Sequence, residues 1–169
     1  MNRQTLNNLD DQKNAILLQG VFAAEFFEEL QKKNPTTIFV MEGRPTLEAA
    51  KNTSAHLLKR KITPTLISDN MAGFLFFKGL VKEVWIAYQL KDKDGALCDI
   101  GALILGVLAK KHQVPVYLFP AGRKTKFLGP EKSLLEFQNK RVAAKGIKAY
   151  VPLVEWLPTK YITKIASND

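Results

Sequence analysis

Four short apolar runs alternate along the chain with segments whose apolar residues recur at helical spacing. The runs are rich in β-branched and aromatic residues and occupy positions 37–40, 65–68, 84–87 and 116–119. Each is followed by a helical pattern, which is typical of repeated βαβ units. An earlier apolar run at 15–19 predicts one more buried strand, with a helix over 21–33. The pattern therefore predicts an α/β domain whose mainly parallel sheet is covered by helices on both faces.

The remaining elements follow from the same reading. We expect a helix over 46–61, a short helix around 74–77, and an apolar helix over 102–109, with Cys98 and Asp99 at its start. A late strand is expected at 146–151 and a terminal helix at 159–165. Residues 1–14 are a polar N-terminal segment, and 15–169 form a single domain without a flexible linker.

Composition limits the class of protein. The chain has 169 residues, of which 46% are hydrophobic, enough for one substantial core. With one cysteine no intrachain disulfide can form, and two histidines are too few for a typical zinc site, so we predict neither a metal nor a cofactor. No apolar run has the length of a bilayer, and the N-terminus lacks the apolar core of a signal peptide. We therefore expect a cytoplasmic protein without a membrane segment.

The chain is basic, with 25 Lys and Arg against 16 Asp and Glu, a net charge of +9. Its basic clusters fall at 59–61, 110–111, 123–126 and 140–141. Most of these positions are expected at helix ends, where cations complement the helix dipole. The alternative is an anion-binding face. No nucleic-acid module can be identified from spacing or motif.

The turn at 42–45, Glu-Gly-Arg-Pro, is the most informative local feature. It follows a predicted parallel strand, at the sheet edge where open α/β folds bind ligands. Arg44 there suits a carboxylate or a phosphate. The alternative is an ion pair between Glu42 and Arg44 that only orders the loop.

For most of the other candidate residues the sequence leaves two interpretations open. Asp69 follows the third strand and is either a catalytic or ribose-binding carboxylate or the N-cap of the next helix. Cys98, expected near a helix start, is either a reactive thiol or a packing residue. His56 is expected to be a surface or packing residue. The cluster Phe74 to Phe77 is either core or a subunit contact.

Several motifs together resemble a known family. They occupy 42–45, 66–72, 100–101, 108–112, 114–117 and 154–158. In this order they resemble the C-terminal domain shared by the alpha, beta and delta subunits of translation initiation factor 2B and by isomerases acting on methylthioribose 1-phosphate and ribose 1,5-bisphosphate. The resemblance implies a Rossmann-like three-layer sandwich that assembles as a homodimer or with a related subunit. The family's N-terminal helical domain has no room in this chain.

The resemblance is weaker at the positions that carry catalysis. The isomerases have a cysteine after the first strand, where this chain reads Leu18-Gln19-Gly20-Val21. Their catalytic aspartate aligns with Tyr88, and an Asn-Lys pair that contacts substrate aligns with Cys98 and Asp99. Of the family's pocket, mainly Arg44 and Asp69 remain. These differences favour a protein that is not an enzyme.

Two hypotheses follow. The first is a non-catalytic domain that binds a phosphorylated small molecule or a protein partner around Glu42, Arg44, Asp69 and Tyr88. The alternative is an aldose-ketose isomerase acting on a pentose phosphate. Its catalytic residues would be rearranged, with Asp69, Cys98 and Asp99 as candidates, or a second chain would complete the site.

Overall fold

A computed structural model describes residues 15–166 of the chain. The polar segment predicted at 1–14 lies outside the described residues. Within them the strands are β1 (Ala15–Gln19), β2 (Thr37–Met41), β3 (Thr65–Ile67), β4 (Val81–Lys91), β5 (Gly95–Asp99), β6 (Val116–Pro120), β7 (Glu136–Phe137), β8 (Lys140–Arg141), β9 (Val154–Pro158) and β10 (Lys164–Ile165).

The helices lie between these strands. They are α1 (Ala24–Lys33), α2 (Ser54–Lys59), α3 (Ala72–Phe77), α4 (Ala102–His112) and α5 (Lys132–Leu135). A π-helical turn, Ala49–Thr53, leads into α2, so the helix expected from position 46 begins later and irregularly. No described helix has the length and apolarity needed to cross a bilayer.

The central sheet has the strand order β10-β6-β4-β1-β2-β3, and all five pairings along this path are parallel. In register, Leu17 of β1 lies between Phe39 of β2 and Val84 of β4. Strands β5 and β9 add an antiparallel extension beyond the carboxyl end of β4. The predicted α/β architecture with a mainly parallel sheet is confirmed.

Alternate residues of each central strand face opposite layers of helices. On one face, Leu17 and its neighbours pack with α3 and α4. On the other, Ile16 and Leu18 pack with α1 and α2, where Phe26 and Leu30 are fully buried. This alternation produces the three-layer sandwich, and it places the carboxyl ends of the parallel strands at one open edge.

The segment around Cys98 was predicted wrongly as the start of a helix. Cys98 and Asp99 lie in β5, because β4 continues to Lys91 and turns back through a hairpin. Asp92 builds that turn: its Oδ1 accepts hydrogen bonds from the backbone N–H groups of Asp94 (2.7 Å) and Gly95 (3.2 Å). Helix α4 starts only at Ala102.

The C-terminal region also differs from prediction. No strand forms at 146–151, and the strand lies instead at Val154–Pro158, where pairing with β5 satisfies its backbone. The expected terminal helix at 159–165 is a single 3-10 turn, Thr159–Tyr161, followed by β10. Pairing of β10 with β6 adds a parallel edge strand, a contact between distant segments that local helical spacing does not reveal.

Candidate functional site

A cleft opens at the carboxyl ends of the parallel strands. It is lined by the ends of β1, β2 and β5 and by the loop after β6; the lining residues include Gln19, Gly20, Gly43, Arg44, Thr46, Asp69, Asp99, Arg123 and Thr125. Its cavity volume is about 20 Å³. Such a space holds about one water molecule, whereas small-molecule sites typically measure roughly 300–1,000 Å³. The cleft is therefore closed in this structure, and a larger ligand requires it to open.

Asp69 fixes the loop that carries Arg44. Its two carboxylate oxygens accept hydrogen bonds from the backbone N–H groups of Gly43 (2.9 Å) and Arg44 (2.7 Å). The prediction that Asp69 caps the following helix is wrong, because Ser68 holds the N-cap position and no side chain caps that turn. The carboxylate serves a neighbouring loop 25 residues away in sequence.

Arg44 and Glu42 do not form the ion pair that was one reading of this turn. No ion pair joins them in the described structure; the Arg44 guanidinium lies 4.7 Å from the ring centroid of Phe137, in β7. Burial raises the pKa of Glu42, the charge of Asp69 raises it further, and Arg44 opposes the shift. Arg44 is thus held by an aromatic face at the mouth of the cleft and is not neutralised there.

A second carboxylate, Asp99, is the centre of a polar cluster in the cleft. Its Oδ1 accepts hydrogen bonds from Gln89 (3.2 Å) and from the Thr125 hydroxyl (2.9 Å), and its Oδ2 lies 3.9 Å from Nη2 of Arg123. Burial raises the pKa of Asp99, and the hydrogen bonds and Arg123 reduce that shift. A carboxyl with a raised pKa in a cleft is suited to acid–base chemistry.

Two buried polar atoms beside Asp99 lack partners. Gln19 donates from Nε2 to the carbonyls of Asp99 and Ile100, both at 3.0 Å, which fixes its amide. Its Oε1, and Nε of Arg123, are buried with no hydrogen-bond partner in the described structure. Both residues line the cleft, so an acceptor and a donor remain without partners in its wall.

The N-terminus of α4 lies next to Ile100 of the cleft, but a carboxylate already accepts hydrogen bonds from its backbone N–H groups. Glu155, in β9, accepts hydrogen bonds at Oε1 from the backbone N–H groups of Gly101 (2.6 Å) and Leu103 (2.9 Å). A carboxylate thus takes the position where a helix terminus would bind an anion. Glu155 and Asp69 thus take the backbone N–H groups of this edge, and among the described residues lining the cleft Arg44 is the arginine without an ion-pair partner.

The loop after β1 has no space for a side chain at Gly20. Its φ is +99°, and a Cβ there would lie 2.8 Å from the Cβ of Ala87. The Thr53 hydroxyl holds the loop by donating to the Gly20 carbonyl at 2.8 Å. A side chain therefore cannot enter at position 20 without displacing the backbone.

The other predicted residues lie outside the cleft. Tyr88 is buried, and its hydroxyl donates to the Ala166 carbonyl at 3.2 Å. Cys98 is fully buried in the core, where burial raises its pKa, so the reactive-thiol reading is wrong. His56 stacks on Phe27 with centroids 5.2 Å apart, as expected for a packing residue. No described cluster of His, Cys, Asp or Glu could hold a metal ion.

A larger open groove, with a volume of about 820 Å³, lies on the opposite side of β6 and β10. It is lined by α1 and by Trp85, Tyr117 and Phe119, with Lys and Glu side chains scattered around its rim. Several of those charges already pair, as Lys33 does with Glu83. We therefore place the candidate site at the smaller cleft, where polar groups converge.

Comparison with known proteins supports this fold and region. The profile of the Initiation factor 2 subunit family matches residues 13–169, nearly the whole chain. The chain belongs to the Initiation factor 2 subunit family. The resemblance seen in the sequence motifs is therefore confirmed.

Curated relatives in the Initiation factor 2 subunit family carry the names of sugar-phosphate isomerases. A methylthioribose-1-phosphate isomerase of Anaeromyxobacter sp. (strain Fw109-5) is 29% identical over 147 residues, covering 80% of this chain and 44% of that protein. A 5-deoxyribose 1-phosphate isomerase of Petrotoga mobilis is 31% identical over 143 residues, covering 78% of this chain and 41% of that protein. The chain thus spans less than half the length of these relatives.

Solved structures of the Initiation factor 2 subunit family share the fold. The delta subunit of translation initiation factor eIF-2B from A. fulgidus matches with a TM-score of 0.78 at 22% identity, covering 89% of this chain and 51% of that chain. The 5-methylthioribose 1-phosphate isomerase from Pyrococcus horikoshii OT3 also matches at 0.78, with 19% identity and coverage of 93% and 52%. At these identities the likeness concerns the fold.

Sequence reasoning located only part of the cleft. Arg44, Asp69 and Asp99 were predicted and do line it. Arg123 was missed, although it follows β6 at the same edge and the rule that selected Arg44 applies to it equally. Gln19 ends β1 and could have been found in the same way. Glu155 had no such signal, because its partner Gly101 is 54 residues away.

Proposed function

We propose that this domain binds a phosphorylated pentose in the cleft and supplies the acid–base half of an aldose-ketose isomerase site. A second polypeptide would complete that site. The observation that carries the proposal is Asp99, a largely buried carboxyl of raised pKa beside the Arg123 guanidinium. Of the two sequence hypotheses, the isomerase is the better supported, because the curated relatives named above are sugar-phosphate isomerases.

Asp99 is placed to move the proton. Conversion of an open-chain aldose to a ketose removes the proton from carbon 2 to give an enediolate and returns a proton to carbon 1, while a proton passes from the hydroxyl of carbon 2 to the oxygen of carbon 1. A carboxylate with a raised pKa is a stronger base than an ordinary carboxylate, which favours removal of a proton from carbon. Thr125 and Gln89 orient the carboxylate through Oδ1, so in this proposal Oδ2 takes the proton from carbon 2 and the Arg123 guanidinium beside it stabilises the oxygen that becomes negative.

In this proposal arginine side chains bind the phosphate. The backbone N–H groups of Gly43 and Arg44 are bonded to Asp69, and those at the start of α4 are bonded to Glu155. The Arg44 guanidinium has only the Phe137 ring as its described partner. A phosphate at the mouth of the cleft would therefore pair with Arg44, which offers a forked set of donors.

A second candidate is binding without turnover. The loop Leu18-Gln19-Gly20-Val21, which the resemblance aligns with the isomerases' cysteine loop, has no thiol, and Tyr88 stands where the resemblance places their aspartate. The backbone at Gly20 excludes a side chain. Asp99 would then position a ligand without acting on it. The two candidates share the cleft and differ only in whether a proton is transferred.

A thermal-shift titration with aldopentose phosphates tests the shared claim. At roughly a hundred times its dissociation constant a ligand stabilises by about 2.7 kcal/mol, a shift of roughly 5–10 °C for a domain of this size. We expect Arg44→Ala to abolish the shift. Arg60→Ala is the matched control, because Arg60 also stacks on a phenylalanine, Phe27 at 4.5 Å, away from the cleft. Binding with exchange of the carbon-2 hydrogen supports the isomerase, binding without exchange supports the second candidate, and no shift contradicts both.

A further inference from the structure

The net charge of the chain is concentrated in one stretch, the basic segment, residues 123–148. It contains eight Lys and Arg and two Glu, a net charge of +6 out of +9 for the whole chain. Two-thirds of the excess charge therefore lies in less than one-sixth of the sequence. This uneven distribution calls for a cause specific to the segment.

Helix dipoles explain the other basic clusters but not this one. Lys32 and Lys33 lie in the last turn of α1, Lys59 in that of α2, and Lys110 and Lys111 in that of α4. The basic segment contains only the four-residue α5, whose single basic residue is Lys132. The interpretation that basic clusters mark helix ends is thus wrong for this segment.

Most cations of the segment are exposed and unpaired. Lys132 forms an ion pair with Glu136 at 3.5 Å, and Arg141 donates to two carbonyls of its own loop. Arg123 belongs to the cleft. The other five side chains are exposed and have no ion-pair partner among residues 15–166: Lys124, Lys126, Lys140, Lys145 and Lys148.

Two aromatic rings are exposed beside these lysines. Phe127 is 71% exposed and Tyr150 is 78% exposed. Their backbones are not loose: the Leu128–Pro152 bridge is flanked by hydrogen bonds from Gly129 N–H to the Val151 carbonyl (2.9 Å) and from Leu153 N–H to the Phe127 carbonyl (3.0 Å). The short ladder holds both rings at the surface. Phe127 directly follows Lys126 in sequence, and Tyr150 lies two residues after Lys148.

We propose that the basic segment binds single-stranded nucleic acid. Lysines without carboxylate partners supply contacts to successive phosphates, and the rings of Phe127 and Tyr150 supply flat faces on which unpaired bases stack. An acidic protein would use the charge but would not require two exposed rings among the lysines. The five exposed lysines and the two rings lie outside the cleft lining, so the proposal stands independently of the isomerase proposal.

Fluorescence anisotropy with a labelled oligouridine of about 20 nucleotides tests the proposal. The test variant carries Lys124→Gln, Lys126→Gln, Lys145→Gln and Lys148→Gln. Its matched control loses the same charge from exposed lysines elsewhere: Lys51→Gln, Lys78→Gln, Lys82→Gln and Lys93→Gln. We expect the slope of log affinity against log salt to fall in magnitude by about 3 in the test variant and to stay near the wild-type value in the control.

Two further measurements separate stacking from charge. Tyr150→Ala should weaken oligouridine binding about tenfold, and Tyr150→Phe should restore it, because phenylalanine keeps the stacking face. A polyglutamate of equal charge should compete poorly. Equal salt slopes in the two lysine variants, unchanged affinity in Tyr150→Ala, or full competition by polyglutamate would each overturn the proposal.

Discussion

The Asp69 carboxylate accepts a hydrogen bond from the backbone N–H of Arg44 at 2.7 Å, and so joins the end of β3 to the loop that follows β2. The other carboxylate oxygen of Asp69 accepts a hydrogen bond from the backbone N–H of Gly43 at 2.9 Å. The same side chain that resembles a catalytic carboxylate in the sequence therefore has a structural task. It sets where the Arg44 guanidinium can reach.

Removal of the Asp69 carboxylate should destabilise the protein. Asp69→Ala leaves two backbone donors without their charged acceptor, and we expect the free energy of unfolding in urea to fall by about 2 kcal/mol. Asp94→Ala is the control, because Asp94 lies on the exposed hairpin turn and its carboxylate accepts no hydrogen bond within the described chain. Equal stability of the two variants would contradict the role assigned to Asp69.

Glu155 should be required for the first turn of α4. Glu155→Ala exposes the N–H groups of Gly101 and Leu103 and removes a negative charge from the helix N-terminus. We expect a loss of about 1–2 kcal/mol in the free energy of unfolding. Glu155→Gln should recover part of it, since an amide oxygen still accepts. Hydrogen exchange of the α4 amides should quicken in the alanine variant, and unchanged exchange would argue against the cap.

A side chain at Gly20 should strain the loop after β1. Gly20→Cys places a thiol in this loop, but φ is +99° and the new Cβ would contact Ala87. We expect a loss of about 1–3 kcal/mol and no gain in turnover. Gly73→Ala is the contrasting substitution, because a Cβ at this α3 position meets nothing within 4 Å and alanine favours a helix. Denaturant titration of both variants tests the difference.

The ionisation of Asp99 should make stability depend on pH. Its pKa is raised in the folded state above an unfolded value of about 3.9, so the folded protein binds more protons between those two values. Stability therefore falls as the pH rises from about 4 through the folded pKa. Asp99→Asn should weaken this fall, whereas Asp94→Asn should leave it unchanged. An identical pH profile in Asp99→Asn and wild type would refute the raised pKa.

The predicted homodimer can be tested at an apolar face formed by α3 and α4. Phe77 is 76% exposed and Ile104 is 67% exposed, on two helices that contact one another. Leu75 and Phe76, from the same cluster, are buried core residues, so the core alternative is confirmed for these two, and the subunit contact stays a prediction for Phe77. Phe77→Lys with Ile104→Lys should convert a dimer into a monomer in analytical ultracentrifugation. A wild-type monomer at all concentrations would contradict the dimer.

The sequence predicted the central sheet well because apolar β-branched runs mark buried parallel strands directly. β1 and β2 begin and end where expected. It failed where long-range pairing decides the structure: β5 forms because it pairs with β4 and β9. For the same reason the sequence did not reveal the polar cluster around Asp99. Thr125 and Asp99 are 26 residues apart, and only the folded sheet brings them to 2.9 Å.

Exchange of the carbon-2 hydrogen of an aldopentose phosphate with solvent deuterium, followed by proton NMR, tests the central claim most directly. It reports removal of the proton even where the full reaction is slow. We predict exchange by the wild-type protein and its loss in Asp99→Asn, which should still bind the sugar phosphate in a thermal-shift titration. Binding by the wild type without exchange, or exchange that persists in Asp99→Asn, would contradict the assignment of Asp99 as the acid–base group.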